Sequence, residues 1–129
     1  MPLEVLMTTL PRIQHVSIHR PPGDEATRAA RAFYGNLVGL TEIDVPETLA
    51  GRELIWYQLG NTELHIFIEE FEGGGQEHHF CIAVADVDEL RVRLEAGGHV
   101  TRDTTPIPGR PRFFCRDPFG NLVEFTTIL

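Results

Sequence analysis

The chain has 129 residues, enough for one compact domain that buries about two-thirds of its unfolded surface, and its 42% hydrophobic and 23% charged content is ordinary for a globular protein. A formal charge of −8 excludes a general nucleic-acid binder, because no basic face could neutralise many phosphates. All eleven basic residues are arginine, which excludes Schiff-base chemistry on lysine and a phosphate-loop lysine.

The opening MPLEVLMTTLP has no basic start and only a short apolar stretch, so neither a signal peptide nor a membrane span of ~20 apolar residues is expected, and the expected location is the cytoplasm. Cys81 and Cys115 form no CxxC pair and read as two reduced thiols.

RIQHVSIH (12–19) alternates as a strand, and PPGD after it is a turn with Asp24 as the expected N-cap. Ala26, Ala29, Ala30, Phe33 and Leu37 fall at α-helical spacing, and Gly39 is placed to end that helix. Three strands follow, LTEIDV (40–45), RELIWYQL (52–59) and TELHIFIE (62–69). EGGGQE (72–77) is a hydrophilic linker.

The order then starts again. HHFCIAVA (78–85) is a strand, Asp86 and Glu89 make a D-x-x-E cap, and Val87, Leu90 and Leu94 give the apolar stripe of a helix closed by Gly97-Gly98. HVTRD (99–103), RFFCR (112–116) and NLVEFTT (121–127) are the last strands, with DPFG (117–120) as the turn between the final two. The plan is a single α+β domain of two βαβββ modules, about 11–70 and about 78–128. They form a curved mixed sheet around a cleft, with the helices on the outer face.

Strand parity gives the duplication chemical content. Val16 and Ile18 in one half, and Phe80, Ile82 and Val84 in the other, are the helix-facing row, which leaves His15 and His79 on the opposite face. By the same rhythm Leu64, Ile66 and Ile68, and Val123 and Phe125, face the helices, leaving His65 and Glu124 opposite. Three imidazoles and a carboxylate at equivalent places on one side are the donors of a divalent metal site: Zn, Ni, Mn or Fe(II). His78 has the wrong parity. His19 lies about 13 Å along the strand from His15, too far to share an ion. His99 begins a strand in a loop-like setting and is expected to be solvated.

Opposite Glu124 across the DPFG hairpin, direct pairing of 116 with 121 places Phe113, whereas one bulge would place Arg112 and Phe114 beside it. Arg112, Phe114 and Trp56 are the candidate substrate-binding residues. For Trp56 and its neighbour Tyr57, core packing is the competing job.

The segments IQHVSI, RAFYGNLVGL, ELHIFIEE, HHFCIAVADVDEL and RFFCRDPFGNLVEF together resemble the vicinal oxygen chelate superfamily, which includes glyoxalase I, fosfomycin-resistance proteins, extradiol dioxygenases, methylmalonyl-CoA epimerase and bleomycin-binding proteins. The resemblance runs from Ile13 to Phe125. It implies that His15, His79 and Glu124 are metal ligands and that His65, at a position where glyoxalase I has glutamate, is a fourth ligand or a neighbour of the substrate. Glu124 is then the only carboxylate at a ligand position able to act as base. The implied activity is that of a metalloenzyme on a small substrate that chelates through vicinal oxygens, a glyoxalase-like lyase or isomerase first. Fosfomycin-type epoxide opening and extradiol-type dioxygenation are the alternatives. A metal-free protein that sequesters a cationic drug, as bleomycin-resistance proteins do, is the alternative from another class, and the acidic charge suits it. The family also implies a homodimer, with sites either within one chain or shared between two.

Overall fold

The structure is a computed structural model that describes residues 11–70 and 77–129. The opening segment through Leu10, and all of the expected linker except Glu77, lie outside the described residues. The elements in chain order are β1 (His15–Arg20), α1 (Asp24–Ala30) running on into a π-helical turn (Arg31–Leu37), β2 (Thr41–Ile43), a 3-10 turn (Glu47–Leu49), β3 (Ile55–Leu59) and β4 (Thr62–Ile68). They continue with β5 (His79–Ala83), α2 (Val87–Ala96), β6 (Thr101–Arg102), β7 (Arg112–Arg116) and β8 (Leu122–Thr126).

The expected duplication is present in the topology. The strands form two four-stranded sheets, ordered β1-β4-β3-β2 and β5-β8-β7-β6. In each, the first pair is parallel and the other two are antiparallel. Apolar rows from both sheets meet α1, its π-helical extension and α2 in one core, with Phe33, Tyr34, Leu64, Ile66, Leu94, Val123 and Phe125 buried. The α+β plan read from the sequence is therefore the observed one.

Local differences have local causes. Gly23, not Asp24, caps α1: the turn needs φ +109° there, which glycine takes without a Cβ penalty, and Asp24 becomes the first helical residue beside the positive helix end. The continuous α-helix expected through Leu37 is π-helical from Arg31, with the Val38 amide bonding the Phe33 carbonyl at 2.9 Å. That wider turn buries both Phe33 and Tyr34 and leaves Leu37 only partly covered. The expected strand 52–59 shortens because Glu53 adopts φ 54° to meet Arg20. Arg20 is fully buried, and its guanidinium donates to the carbonyls of Pro21 (2.9 Å), Gly23 (2.7 Å) and Glu53 (3.1 Å). The strands expected over 40–45 and 99–103 are only three and two residues long.

The D-x-x-E cap is present as expected, the Glu89 amide donating to Asp86 Oδ1 at 3.1 Å. Asp86→Ala is expected to destabilise the protein by about 1 kcal/mol, read as a lower denaturant midpoint with unchanged slope.

The last hairpin adds polar contacts between the second module and the first. Asp117 Oδ1 accepts from the amides of Phe119 and Asn121, both at 2.8 Å. Its Oδ2 accepts from Asn121 Nδ2 (2.8 Å) and from Tyr34 Oη of the π-helical turn (2.7 Å). Asn121 Nδ2 also donates to the His19 carbonyl at 3.0 Å, tying the turn to β1.

Candidate functional site

Side-chain parity follows the alternation of the strands. His15, His65, His79 and Glu124 all lie on the sheet faces turned away from the helices, since Val16, Ile18, Leu64, Ile66, Ile82, Val123 and Phe125 take the core side. The structure brings the four together two by two, one pair on each sheet. Among the described residues no three His, Cys, Asp or Glu side chains gather closely enough to hold an ion.

On the first sheet, Trp56 of β3 stands directly across from His65 of β4. Their rings stack at 3.8 Å with planes 4° apart, and the opposite face of His65 stacks on His15 of β1 at 4.2 Å and 16°. Trp56 thus lies against a candidate ligand, while its neighbour Tyr57 is the one buried in the core. Burial pushes the Tyr57 phenol up to about 12. The sequence reading passed over two partners here. Glu63 Oε1 accepts from His65 Nε2 at 2.9 Å, and Gln14 Oε1 meets His15 Nδ1 at 2.7 Å. The i, i+2 spacing that puts Glu63 and His65 on one face was available in the sequence.

On the second sheet, His79 Nε2 lies 3.1 Å from Glu124 Oε1, and Arg112 Nη1 donates to Glu124 Oε2 at 3.3 Å. His79 Nδ1 donates to the Glu77 carbonyl at 2.8 Å. The hairpin takes the bulged register: Phe114, not Phe113, is paired with Glu124. Phe114 is only 5% exposed, with Arg102 and Arg112 over its ring at 5.1 and 5.9 Å and His79 edge-on at 4.9 Å. It is a buried floor beneath the charged groups. Arg112 also donates to the Thr105 carbonyl at 2.7 Å, and its Nε is buried without a partner.

Cys81, missed by the sequence reading as a site residue, pairs with Glu124 across β5 and β8. Its thiol is raised to about 11, first by desolvation and then by the Glu124 carboxylate. Cys115 is raised to about 11 as well, by burial and then Asp117. Both sulfurs stay protonated at neutral pH, which makes them poor nucleophiles.

The remaining histidines lie elsewhere. A pocket of about 410 Å³ opens where β1 and β4 approach β5 and the β7–β8 turn, lined by His19 and His78 among others. It takes in His79 but not His15, His65 or Glu124, so it is not a hollow in which the four meet. His99, expected to be solvated, is partly covered and packs edge-on against buried Phe33 at 4.9 Å.

No helix among the described residues is long and apolar enough to cross a membrane. No curated protein sequence matches the chain. Among solved structures, a glyoxalase family protein from Bacillus anthracis is 36% identical, with a TM-score of 0.81 over 93% of this chain and 97% of that one. Lactoylglutathione lyase from Agrobacterium tumefaciens is 23% identical, with a TM-score of 0.66 over 92% and 95% of the two chains. The genomically encoded fosfomycin resistance protein of Listeria monocytogenes is 15% identical, with a TM-score of 0.74 over 94% of each chain. The two more distant likenesses speak for the fold alone. Residues 12–125 match the family model of the Glyoxalase/Bleomycin resistance protein/Dioxygenase superfamily, and with the paired βαβββ sheets and the Bacillus anthracis relative this makes the chain a member of that superfamily.

Proposed function

We propose that the chain is a small metal-dependent enzyme, acting on a substrate that presents two neighbouring oxygens, with lyase or isomerase chemistry of the glyoxalase type. The observation that carries this reading is the close approach of His79 Nε2 and Glu124 Oε1, 3.1 Å apart on separate strands of the face away from the helices. A carboxylate and an imidazole held this way, with the outer imidazole nitrogen tied to a carbonyl, form a cation-ready pair. The donor set suits a divalent ion by its chemistry, but one chain supplies it only as two separate pairs. The site we infer is therefore completed by a second copy: His79 and Glu124 of one chain, and His15, with His65 stacked beside it, of the other.

A divalent cation held there supplies Lewis acidity toward the two substrate oxygens. The chain's own groups orient and exclude. Arg112 draws one Glu124 oxygen aside and leaves the other toward His79. Phe114 and Trp56 close the floor and one wall with aromatic surface.

Elemental analysis of the purified protein tests the reading, with one transition metal per site expected. Mixing a chain lacking His15 and His65 with one lacking His79 and Glu124 is expected to regenerate one of the two sites in each mixed dimer, because that shared site keeps all four residues. A dimer that binds no metal from any first-row ion supports the sequestering alternative instead.

A further inference from the structure

The four candidate donors differ in which atom is already engaged. His15 and His79 each commit Nδ1, to Gln14 Oε1 at 2.7 Å and to the Glu77 carbonyl at 2.8 Å, and His79 turns its Nε2 toward a fellow candidate donor, Glu124 Oε1, at 3.1 Å. Glu124 commits Oε2 to Arg112. His65 differs in that its Nε2 is held by a carboxylate outside the candidate set, Glu63 Oε1 at 2.9 Å, and not by a fellow donor. An ionised carboxylate only accepts, so Nε2 carries the proton and Nδ1 is left as a lone pair. Nδ1 has no partner among the described residues and is not sealed from solvent.

Ring geometry separates His65 from the donors a second time. An imidazole binds a metal in its own plane, at roughly 2.0–2.1 Å from nitrogen for zinc. The His15 and His65 rings lie face to face, centroids 4.2 Å apart and planes inclined by only 16°. Planes so nearly parallel meet far beyond the reach of a metal–nitrogen bond, so one ion cannot lie in both. Turning His65 to reach an ion would break its stack on Trp56 as well as its bond to Glu63.

We propose that Glu63 takes His65 out of the metal's donor set and makes it the hydrogen-bond acceptor for a hydroxyl of the substrate. The inference rests on the metal-site reading above and adds the substrate's chemistry. The favoured ligand is an α-hydroxy acid or α-hydroxy carbonyl compound whose hydroxyl proton points at His65 Nδ1. Glu63 is a positioning residue that sets the tautomer, and Trp56 is one that holds the plane of the ring.

Zn²⁺ alone, titrated against a chromophoric chelator, gives the first readout. His65→Gln and Glu63→Gln are expected to keep zinc affinity within about threefold of the parent, whereas His79→Gln weakens it by about 100-fold, more than losing an outer hydrogen-bond partner normally costs. Calorimetry on the zinc-loaded protein gives the second, with glycolate set against methoxyacetate, which lacks the hydroxyl proton. The parent is expected to prefer glycolate by about tenfold, and both variants by about twofold or less. Zinc loss in His65→Gln equal to that in His79→Gln would make His65 a ligand and overturn the inference. So would a full glycolate preference retained without His65 or without Glu63. A parent protein that binds no zinc or other first-row metal removes the site reading itself, a result distinct from either of those.

Discussion

Glu124→Gln is expected to lose metal retention by at least about 100-fold and turnover with it, while the protein still folds. The side chain lies mid-strand in β8, whose residues are buried along its whole length, so the amide is held where the carboxylate was. Gln can still accept from Arg112, but the charge that cancels part of a cation is gone. The same change leaves the Arg112 guanidinium, only 15% exposed, with neutral partners alone. A stability loss of about 1–3 kcal/mol should follow, smaller than for a fully buried pair. Metal content by mass spectrometry and a denaturant titration separate the two effects. Full metal and full activity in Glu124→Gln would remove the site from this face of the sheet.

Asp117→Ala is expected to cost about 3–5 kcal/mol, the largest single-residue loss we anticipate in the chain. Four donors converge on that carboxylate, and the truncation strands the fully buried Tyr34 hydroxyl and two backbone amides at once. Because Tyr34 belongs to the first module and Asp117 to the second, the loss should appear in one cooperative transition and not in half of the molecule. Burial raises the Asp117 carboxyl above its ordinary 3.8, even though its hydrogen bonds pull it down. The sign then follows from linkage: with the folded value raised, the carboxyl's contribution is complete below the unfolded pKa and declines as pH rises through the folded one. The stability difference between the parent and Asp117→Asn should therefore narrow with rising pH, as measured by denaturation midpoints from pH 4 upward. A difference that widens would mean that the hydrogen bonds outweigh burial.

The features legible in the sequence were those governed by short-range periodicity. Alternation assigned His15, His65, His79 and Glu124 to the face away from the helices, and the D-x-x-E and DPFG signals marked a cap and a turn that are present. Features set by long-range contact were not legible. Parity gives a side but no distance across two sheets, so it could not show that the donors stand as two pairs. The β7–β8 register turned on one residue, and the buried Asp117 cage settled it in favour of Phe114 beside Glu124. Phe114 reads from the sequence as a substrate-binding candidate, but sequence cannot show the arginines of β6 and β7 that lie over its ring. Glu63 was passed over because nothing in a strand's alternation says which of two neighbouring polar groups will hold the other.

The π-helical turn at Arg31–Leu37 has a bearing on comparison with relatives. Such a turn closes each hydrogen bond over one residue more than an α-helix does, so the segment holds an extra residue for the same span. Against a relative whose first helix is uninterrupted, the chain should align with a single-residue insertion there. An alignment forced through without the gap would pair Phe33 and Tyr34 with the wrong columns and misjudge what fills the space beneath the sheet.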